Sequence, residues 1–182
     1  MLVRDGVVVC KVHLHVAPAT QEKRLARLQA NKITRWRVTQ EDRWLARHYR
    51  PVERAFERTL AATDQPLAPW HVVDGTDSQH RALEVGRRLL AAMQHADDKV
   101  PRGRNALKGA MANAVTRSRF KTKPAGDAPN DDEYDAELER LQGRLALLSR
   151  RKRFARHAVV AAFEGMDAAG KGGAIRRVTA AL

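Results

Sequence analysis

Three short apolar runs, widely separated along the chain, have the character of β-strands. The first, GVVVCKVHLHV at residues 6–16, begins with consecutive β-branched residues and then alternates apolar positions with His13 and His15. Alternation with a period of two is typical of a strand, and an uninterrupted apolar run indicates a buried one. Residues 70–73 and 157–163 form the other two runs. The pattern therefore predicts three strands.

Between these runs the apolar positions recur every three or four residues, which predicts amphipathic helices. One helix is expected to begin near Pro18, a second after a capping box at residues 39–42, a third over about 51–61, and a fourth after the cap-forming loop 74–78. A helix-like segment, AIRRVTAAL, ends the chain. The fold class is therefore α/β and helix-rich.

The stripe with the strictest period lies near the carboxyl end of the chain. Its apolar residues are spaced 4, 3, 4 and 3 apart, at Tyr134, Leu138, Leu141, Leu145 and Leu148. Such spacing keeps one narrow stripe on a helix face, and it is too short here for an extended coiled coil. We expect this helix to dock on a sheet or on a neighbouring helix. An interaction module that associates with a sister domain is the alternative.

The net charge of the chain indicates which class of partner it binds. The 182 residues include 34 Lys and Arg but 21 Asp and Glu, a net charge of +13, which predicts a polyanionic partner. Eight basic residues and no acidic one lie within 99–123, the natural place for nucleic-acid binding, although aromatic residues make up only 5%. The turn-rich segment 124–132 follows and is expected to be a linker.

Other features narrow the class of protein. No apolar run approaches the roughly 18 residues that cross a bilayer, so no membrane partner is expected. The single cysteine, Cys10, is expected to be a small buried residue of a strand, and this cysteine usage fits the reducing cytoplasm. The three tryptophans, Trp36, Trp44 and Trp70, are expected to be packing anchors, and contact with a nucleotide is the alternative for one of them.

The chemistry-bearing motif follows the third predicted strand. Gly165, Gly170 and Lys171 have the spacing G-x-x-x-x-G-K of a phosphate-binding loop, between a strand and a helix as that motif requires. The glycines let backbone N–H groups face a phosphate, and the lysine neutralises its charge. Gly172 stands where Ser or Thr usually follows the lysine, so a magnesium ion needs another ligand, for which Asp167 is the candidate.

The sequence around this motif resembles one known family. FEGMDAAGKGGAIRRV resembles the phosphate-binding loop of the polyphosphate kinase type 2 family, and YDAELERLQGRLALL resembles the helix before its first strand. Nearer the amino end, VHLHVAPATQEKRLARL resembles the strand that leads into the family's basic lid. Residues 36–39 with Asp42 resemble the W-K-x-S/T pattern of the lid, and residues 68–73 resemble the last strand. The order of the parts is therefore reversed relative to one domain.

The resemblance implies a P-loop kinase-like three-layer α/β fold in incomplete form, from the middle of a tandem two-domain member. Residues 1–96 would be the carboxyl-terminal lid part of a first domain, 97–130 a basic linker, and 131–182 the amino-terminal part of a second. Only eleven residues follow Lys171, too few for a second carboxylate-bearing strand, so we expect a fragment without catalysis of its own. The three strands are then expected to form a permuted sheet with the third beside the first and the second outside it.

By the same resemblance, the reaction is phosphoryl transfer between inorganic polyphosphate and AMP or ADP, assisted by Mg²⁺. Asp167 and Lys171 would be the catalytic residues, with Asp167 as the metal ligand. The implied phosphate-binding residues of the loop and its helix are Gly165, Ala168, Ala169, Gly170, Gly172, Gly173, Arg176 and Arg177, and those of the lid are Lys23, Arg24, Arg35 and Arg37.

Alternatives remain at three levels. For at least one of Arg176 and Arg177, the alternative is a position on a solvated helix face without contact to phosphate. The stretch 23–58, with eleven basic and four acidic residues, is interpreted as a mobile lid, and an exposed basic surface is the alternative. For the whole chain, the alternative is a non-catalytic fragment that binds polyphosphate or nucleic acid. A homo-oligomer or association with a sister domain is also among the expected partners.

Overall fold

The computed structural model describes residues 2–98 and 129–182. Its three strands are β1 (Val8–His15), β2 (Trp70–Asp74) and β3 (Val159–Gly165), which are parallel and lie in the order β2-β1-β3. The long apolar run of β1 is explained by its central position, since it is paired on both sides. The predicted strand order is confirmed, and β3 begins two residues later than predicted because a 3-10 turn, Phe154–Arg156, precedes it.

All six helices expected from the apolar periodicity are present in the described residues. They are α1 (Pro18–Ala30), α2 (Gln40–Arg47), α3 (Tyr49–Thr63), α4 (Ser78–Asp98), α5 (Asp131–Ser149) and α6 (Lys171–Thr179). The predicted capping box of α2 forms as expected, with Thr39 accepting from the Asp42 amide and the Asp42 carboxylate accepting from Thr39. None of the described helices combines the length and the apolar character needed to cross a bilayer.

The prediction of a linker over residues 124–132 is wrong at the carboxyl end of that segment. α5 begins at Asp131, because the Asn130 side chain accepts from the Glu133 amide and the Glu133 carboxylate accepts in return from the Asn130 amide. Acidic residues in the first turn are also favourable beside the positive end of the helix dipole. The basic segment 99–123 and the linker up to residue 128 lie outside the described residues.

Residues from both ends of the chain share one hydrophobic core. Val12 and Leu14 of β1, Leu89 of α4, Leu141 of α5 and Val178 of α6 are all buried in it. The stripe on α5 packs against α4, which confirms the predicted docking on a neighbouring helix. The stripe is therefore covered within the chain.

Candidate functional site

The turn between β3 and α6 lies at the carboxyl edge of the sheet, where parallel α/β sheets bind ligands. We call residues 165–171 the candidate phosphate loop. Gly165 has a φ of +142°, and a Cβ there would overlap the carbonyl oxygen of Leu14 on β1. Gly170, with a φ of +92°, is the residue before α6. Both glycines of the motif are therefore required by the backbone conformation.

One loop residue adopts the left-handed region without being a glycine. Ala168 has a φ of +62°, and it is alone in this among the non-glycine residues that the structure describes. A Cβ-bearing residue in this region costs roughly 1–2 kcal/mol. Surrounding contacts must therefore stabilise the loop in this conformation.

Lys171 is the first residue of α6, and its side chain turns back over the loop. Its Nζ donates to the Gly165 carbonyl at 2.5 Å and lies 3.8 Å from Oδ1 of Asp167. The lysine predicted to bind phosphate is thus already placed at the centre of the loop, beside the predicted metal ligand.

A second carboxylate reaches the loop from α2. Asp42 is buried, its Oδ2 accepts from the Thr39 amide at 2.6 Å and hydroxyl at 2.8 Å, and its carboxyl lies beside that of Asp167. Burial and this contact raise the pKa of Asp167, while Lys171 opposes them. Burial also acts to raise the pKa of Asp42, but the hydrogen bonds from Thr39 and Asp167 lower it overall. The two pKa values are therefore shifted in opposite directions, that of Asp167 upward and that of Asp42 downward.

An arginine of α1 joins the candidate phosphate loop to the loop after β2. Arg24 donates from Nη1 to the Ala168 carbonyl at 2.8 Å, and from Nη2 to the carbonyls of Gly75 at 2.7 Å and Thr76 at 2.5 Å. Arg24 therefore contacts Ala168, the residue of the loop with a strained backbone conformation. Burial lowers the pKa of Arg24, with Asp74 and Asp77 partly compensating.

A second arginine, which no sequence motif indicates, lies beneath the loop. Arg81 of α4 is 7% exposed, donates to the Gly75 carbonyl at 2.8 Å, and its Nε has no hydrogen-bond partner in the structure. Its guanidinium occupies the space that a side chain at Gly170 would need. Burial, together with the neighbouring Arg24 and Arg177, lowers its pKa.

The remaining predicted residues of α6 have different environments. Arg177 is engaged within the fold, since its Nε donates to the Tyr134 hydroxyl at 2.6 Å and its Nη1 to the Gly173 carbonyl at 3.2 Å. Arg176 is exposed. Gly172, in contrast with the other loop glycines, has open space where a Cβ would project.

The lid-like residues Lys23, Arg35 and Arg37 are exposed, whereas Arg24 is partly buried against the loop. The expectation that the tryptophans are packing anchors is wrong for Trp36, which is 77% exposed between Arg35 and Arg37 on a short 3-10 turn. Trp44 is half exposed and stacks on His48.

Comparison with known proteins identifies the family. The model of the polyphosphate kinase 2 (PPK2) family matches residues 1–101 and 128–182, so the chain belongs to this family. It is 39% identical to the polyphosphate:AMP phosphotransferase of Pseudomonas syringae pv. tomato and 38% identical to that of Pseudomonas aeruginosa, in each case over the whole chain. It is also 26% identical, over 56% of its length, to the GDP-polyphosphate phosphotransferase of Mycobacterium tuberculosis, covering 35% of that relative.

The chain spans 37% of the length of both Pseudomonas relatives. No solved structure matches it. The family is the one whose loop and lid the sequence resembles.

Proposed function

We propose that this chain is part of a polyphosphate-dependent nucleotide phosphotransferase, which transfers a phosphoryl group between inorganic polyphosphate and AMP or ADP. The observation that carries the proposal is the candidate phosphate loop, in which Lys171 and Asp167 meet at the carboxyl edge of the sheet. The names of the two Pseudomonas relatives support AMP as the acceptor. Catalysis in this class is mainly positioning and electrostatic stabilisation of the phosphoryl group.

The proposed architecture is an incomplete P-loop kinase fold. Residues 1–96 would supply the lid part of one domain, 97–130 a basic linker, and 131–182 the loop-bearing part of a second. In the described residues these two parts share one sheet and one core. In this arrangement the candidate phosphate loop lies beside the basic α1, from which Arg24 contacts it, although Arg24 and Ala168 are 144 residues apart in sequence.

The proposed role of Lys171 follows from its present contact. Its ammonium now donates to the Gly165 carbonyl, and a phosphate oxygen would replace that neutral acceptor with a charged one. A charged acceptor would add the attraction between opposite charges to the hydrogen bond that the ammonium already makes. The backbone amides of residues 168–173 would bind the remaining oxygens at the positive end of α6. Arg176, exposed on that helix, and the exposed Lys23, Arg35 and Arg37 would contact more of the polyphosphate.

The residues at the loop are compatible with a magnesium ion. No group of three or more His, Cys, Asp or Glu side chains suited to a metal occurs in residues 2–98 and 129–182. Magnesium, however, is usually held by one or two carboxylates together with substrate phosphates. Asp167 would be the protein ligand, with Asp42 as the adjacent carboxylate. The ion would neutralise phosphate charge.

The test is binding of inorganic polyphosphate by the 182-residue chain, with Lys171→Ala as the variant. Lys152→Ala is the matched control, because it removes the same charge from an exposed position before β3, away from the loop. We expect Lys171→Ala to lower the affinity at least tenfold and Lys152→Ala to change it less than twofold. Equal effects of the two variants would contradict a phosphate site at the loop.

Two further measurements distinguish the alternatives. The first is a competition experiment, in which polyphosphate at equal phosphate concentration is expected to displace RNA bound to the chain. Binding that depends on the bases of the RNA would instead favour a nucleic-acid function. The binding of polyphosphate and the binding of RNA are both expected to weaken with salt, because exposed charge interactions are screened.

The second is an assay of ADP formation from AMP and polyphosphate, which tests whether the chain transfers phosphoryl groups. ADP formation that is lost in Lys171→Ala but kept in Lys152→Ala would place the reaction at the loop.

A further inference from the structure

The candidate phosphate loop is held by side chains from elements far from it in sequence. Arg24 lies 144 residues before the carbonyl of Ala168 to which it donates. Its second terminal nitrogen donates to the carbonyls of Gly75 and Thr76, in the loop after β2. One planar guanidinium therefore joins two loops at the same edge of the sheet.

Arg81 reaches the same place from α4. Its Nη1 donates to the Gly75 carbonyl, which thus accepts from both arginines, and its guanidinium lies against Gly170. Gly170 has a φ of +92° and no side chain, and the Arg81 guanidinium fills the space that a side chain there would occupy. Arg24 and Arg81 therefore contact the loop at Ala168 and Gly170, two of its three residues with positive φ.

Neither guanidinium is free to act as an exposed phosphate ligand in this structure. Arg81 is 7% exposed, and Arg24 directs both terminal nitrogens to backbone carbonyls. A left-handed alanine needs its surroundings to stabilise it, and a charged donor on its own carbonyl does so. To reach carbonyls of two loops at once, a side chain needs several N–H donors in a fixed planar arrangement, which arginine has and lysine lacks.

We infer that Arg24 and Arg81 are positioning residues that hold the candidate phosphate loop in its phosphate-binding conformation. The inference rests on the proposed function, because it assumes that this loop binds polyphosphate. It separates Arg24 from the exposed lid residues, because the Arg24 guanidinium donates to carbonyls of two loops at once, and a lysine ammonium lacks the fixed fork of donors that this needs.

The experiment compares Arg24→Lys and Arg81→Lys with Arg88→Lys in the 182-residue chain. Arg88 is the matched control, since it lies exposed on the same helix as Arg81 and pairs with Glu84. All three changes conserve charge. Two quantities are measured: the affinity for polyphosphate, and hydrogen–deuterium exchange of the amides of residues 166–173 without ligand.

We expect Arg24→Lys to lower the affinity about tenfold, as small misplacements of binding groups do, and to raise amide exchange in the loop. Arg88→Lys is expected to leave both unchanged. Unaltered loop exchange in Arg24→Lys would overturn the inference, and so would reduced affinity with unaltered exchange, which indicates a direct contact. If Arg81→Lys does not fold, as judged by circular dichroism, Arg24→Lys alone decides.

The two proposals fail in different ways. If the wild-type chain binds no polyphosphate at low salt, the proposed function is wrong, yet the exchange measurement still tests whether the arginines hold the loop. If the wild-type chain binds and Arg24→Lys matches it in both affinity and exchange, the positioning role is wrong and the proposed function stands.

Discussion

The amide of Gly75 donates to the carbonyl of His15 at 2.7 Å, which fixes the loop after β2 against the carboxyl end of β1. A side chain at position 75 would be crowded by its neighbours. A Cβ at this position would lie 2.9 Å from Cγ1 of Val16, 3.0 Å from the Ala169 carbonyl oxygen and 3.1 Å from the His15 carbonyl oxygen. Two of these three neighbours are backbone atoms and cannot rotate away. The candidate phosphate loop, through Ala169, is therefore packed directly against the loop that carries Gly75.

Gly75→Ala is accordingly expected to destabilise the protein by about 1–3 kcal/mol, the usual cost of forcing extra atoms into a packed site. Urea denaturation followed by circular dichroism measures the free energy of unfolding. Gly143→Ala is the control, because Gly143 is exposed on α5 with open space around its Cβ position. We expect that control to be stabilised by about 0.5–1 kcal/mol through better helix propensity. A Gly75→Ala variant as stable as the wild type would contradict the packing described for this loop.

The two glycines that flank Lys171 are expected to respond differently to alanine. Gly170→Ala places a Cβ on the Arg81 guanidinium and forces a φ of +92° on a residue that resists it, so polyphosphate affinity should fall at least tenfold. Gly172→Ala meets nothing within 4 Å and keeps its backbone amide, so affinity should change less than twofold. Titration with polyphosphate measures both. Similar losses in the two variants would mean that the side-chain space at Gly170 is not what orders the loop.

The secondary structure of this chain could be predicted from local patterns, because its causes are local. The apolar run of β1, the stripe from Tyr134 to Leu148 and the capping box at Thr39 each depend on residues within a few positions. The strand order came from a resemblance to a known family, since nothing in the apolar runs themselves specifies which strand pairs with which. The structure then has the predicted order, β2-β1-β3.

The candidate site could be predicted only where its chemistry lies in one continuous motif. Gly165, Gly170 and Lys171 have a spacing that indicates their role. Arg81 has no such signal, because its contact with Gly170 exists only after α4 and the loop have come together. The exposure of Trp36 was mispredicted for a similar reason: a tryptophan is usually packed, and only the tertiary structure leaves this one on a short turn outside the core.

Cys10 is expected to be unreactive in the folded protein. It is 2% exposed in the central strand, and burial raises the pKa of its thiol to about 11, with Arg88 opposing the shift. Because the thiolate is the reactive form, a disulfide reagent at pH 8 should modify the native chain far more slowly than the chain in urea. Absorbance of the released thiol measures the rate. Rapid modification of the native chain would show that β1 is not the buried centre of the sheet.

His13 should make the stability depend on pH below neutrality. It is 1% exposed, and burial, with His15 and Lys171 nearby, lowers its pKa from 6.5 to about 4. A depressed histidine pKa means that the unfolded chain binds a proton more readily than the folded one. This contribution to stability is therefore complete above pH 6.5 and is lost as the pH falls toward 4. Between pH 7 and pH 5 the loss amounts to about 2 kcal/mol.

Urea denaturation of the wild type and of His13→Leu at the two pH values isolates this contribution. Burial also lowers the pKa of His15 and His71, and both residues are retained in the two proteins. We expect the wild type to lose about 2 kcal/mol more than His13→Leu between pH 7 and pH 5. His95→Gln, a change at an exposed position of α4, should behave as the wild type. An equal loss in wild type and His13→Leu would mean that His13 is hydrated in the folded protein, which is incompatible with its burial beside Phe56 in the sheet.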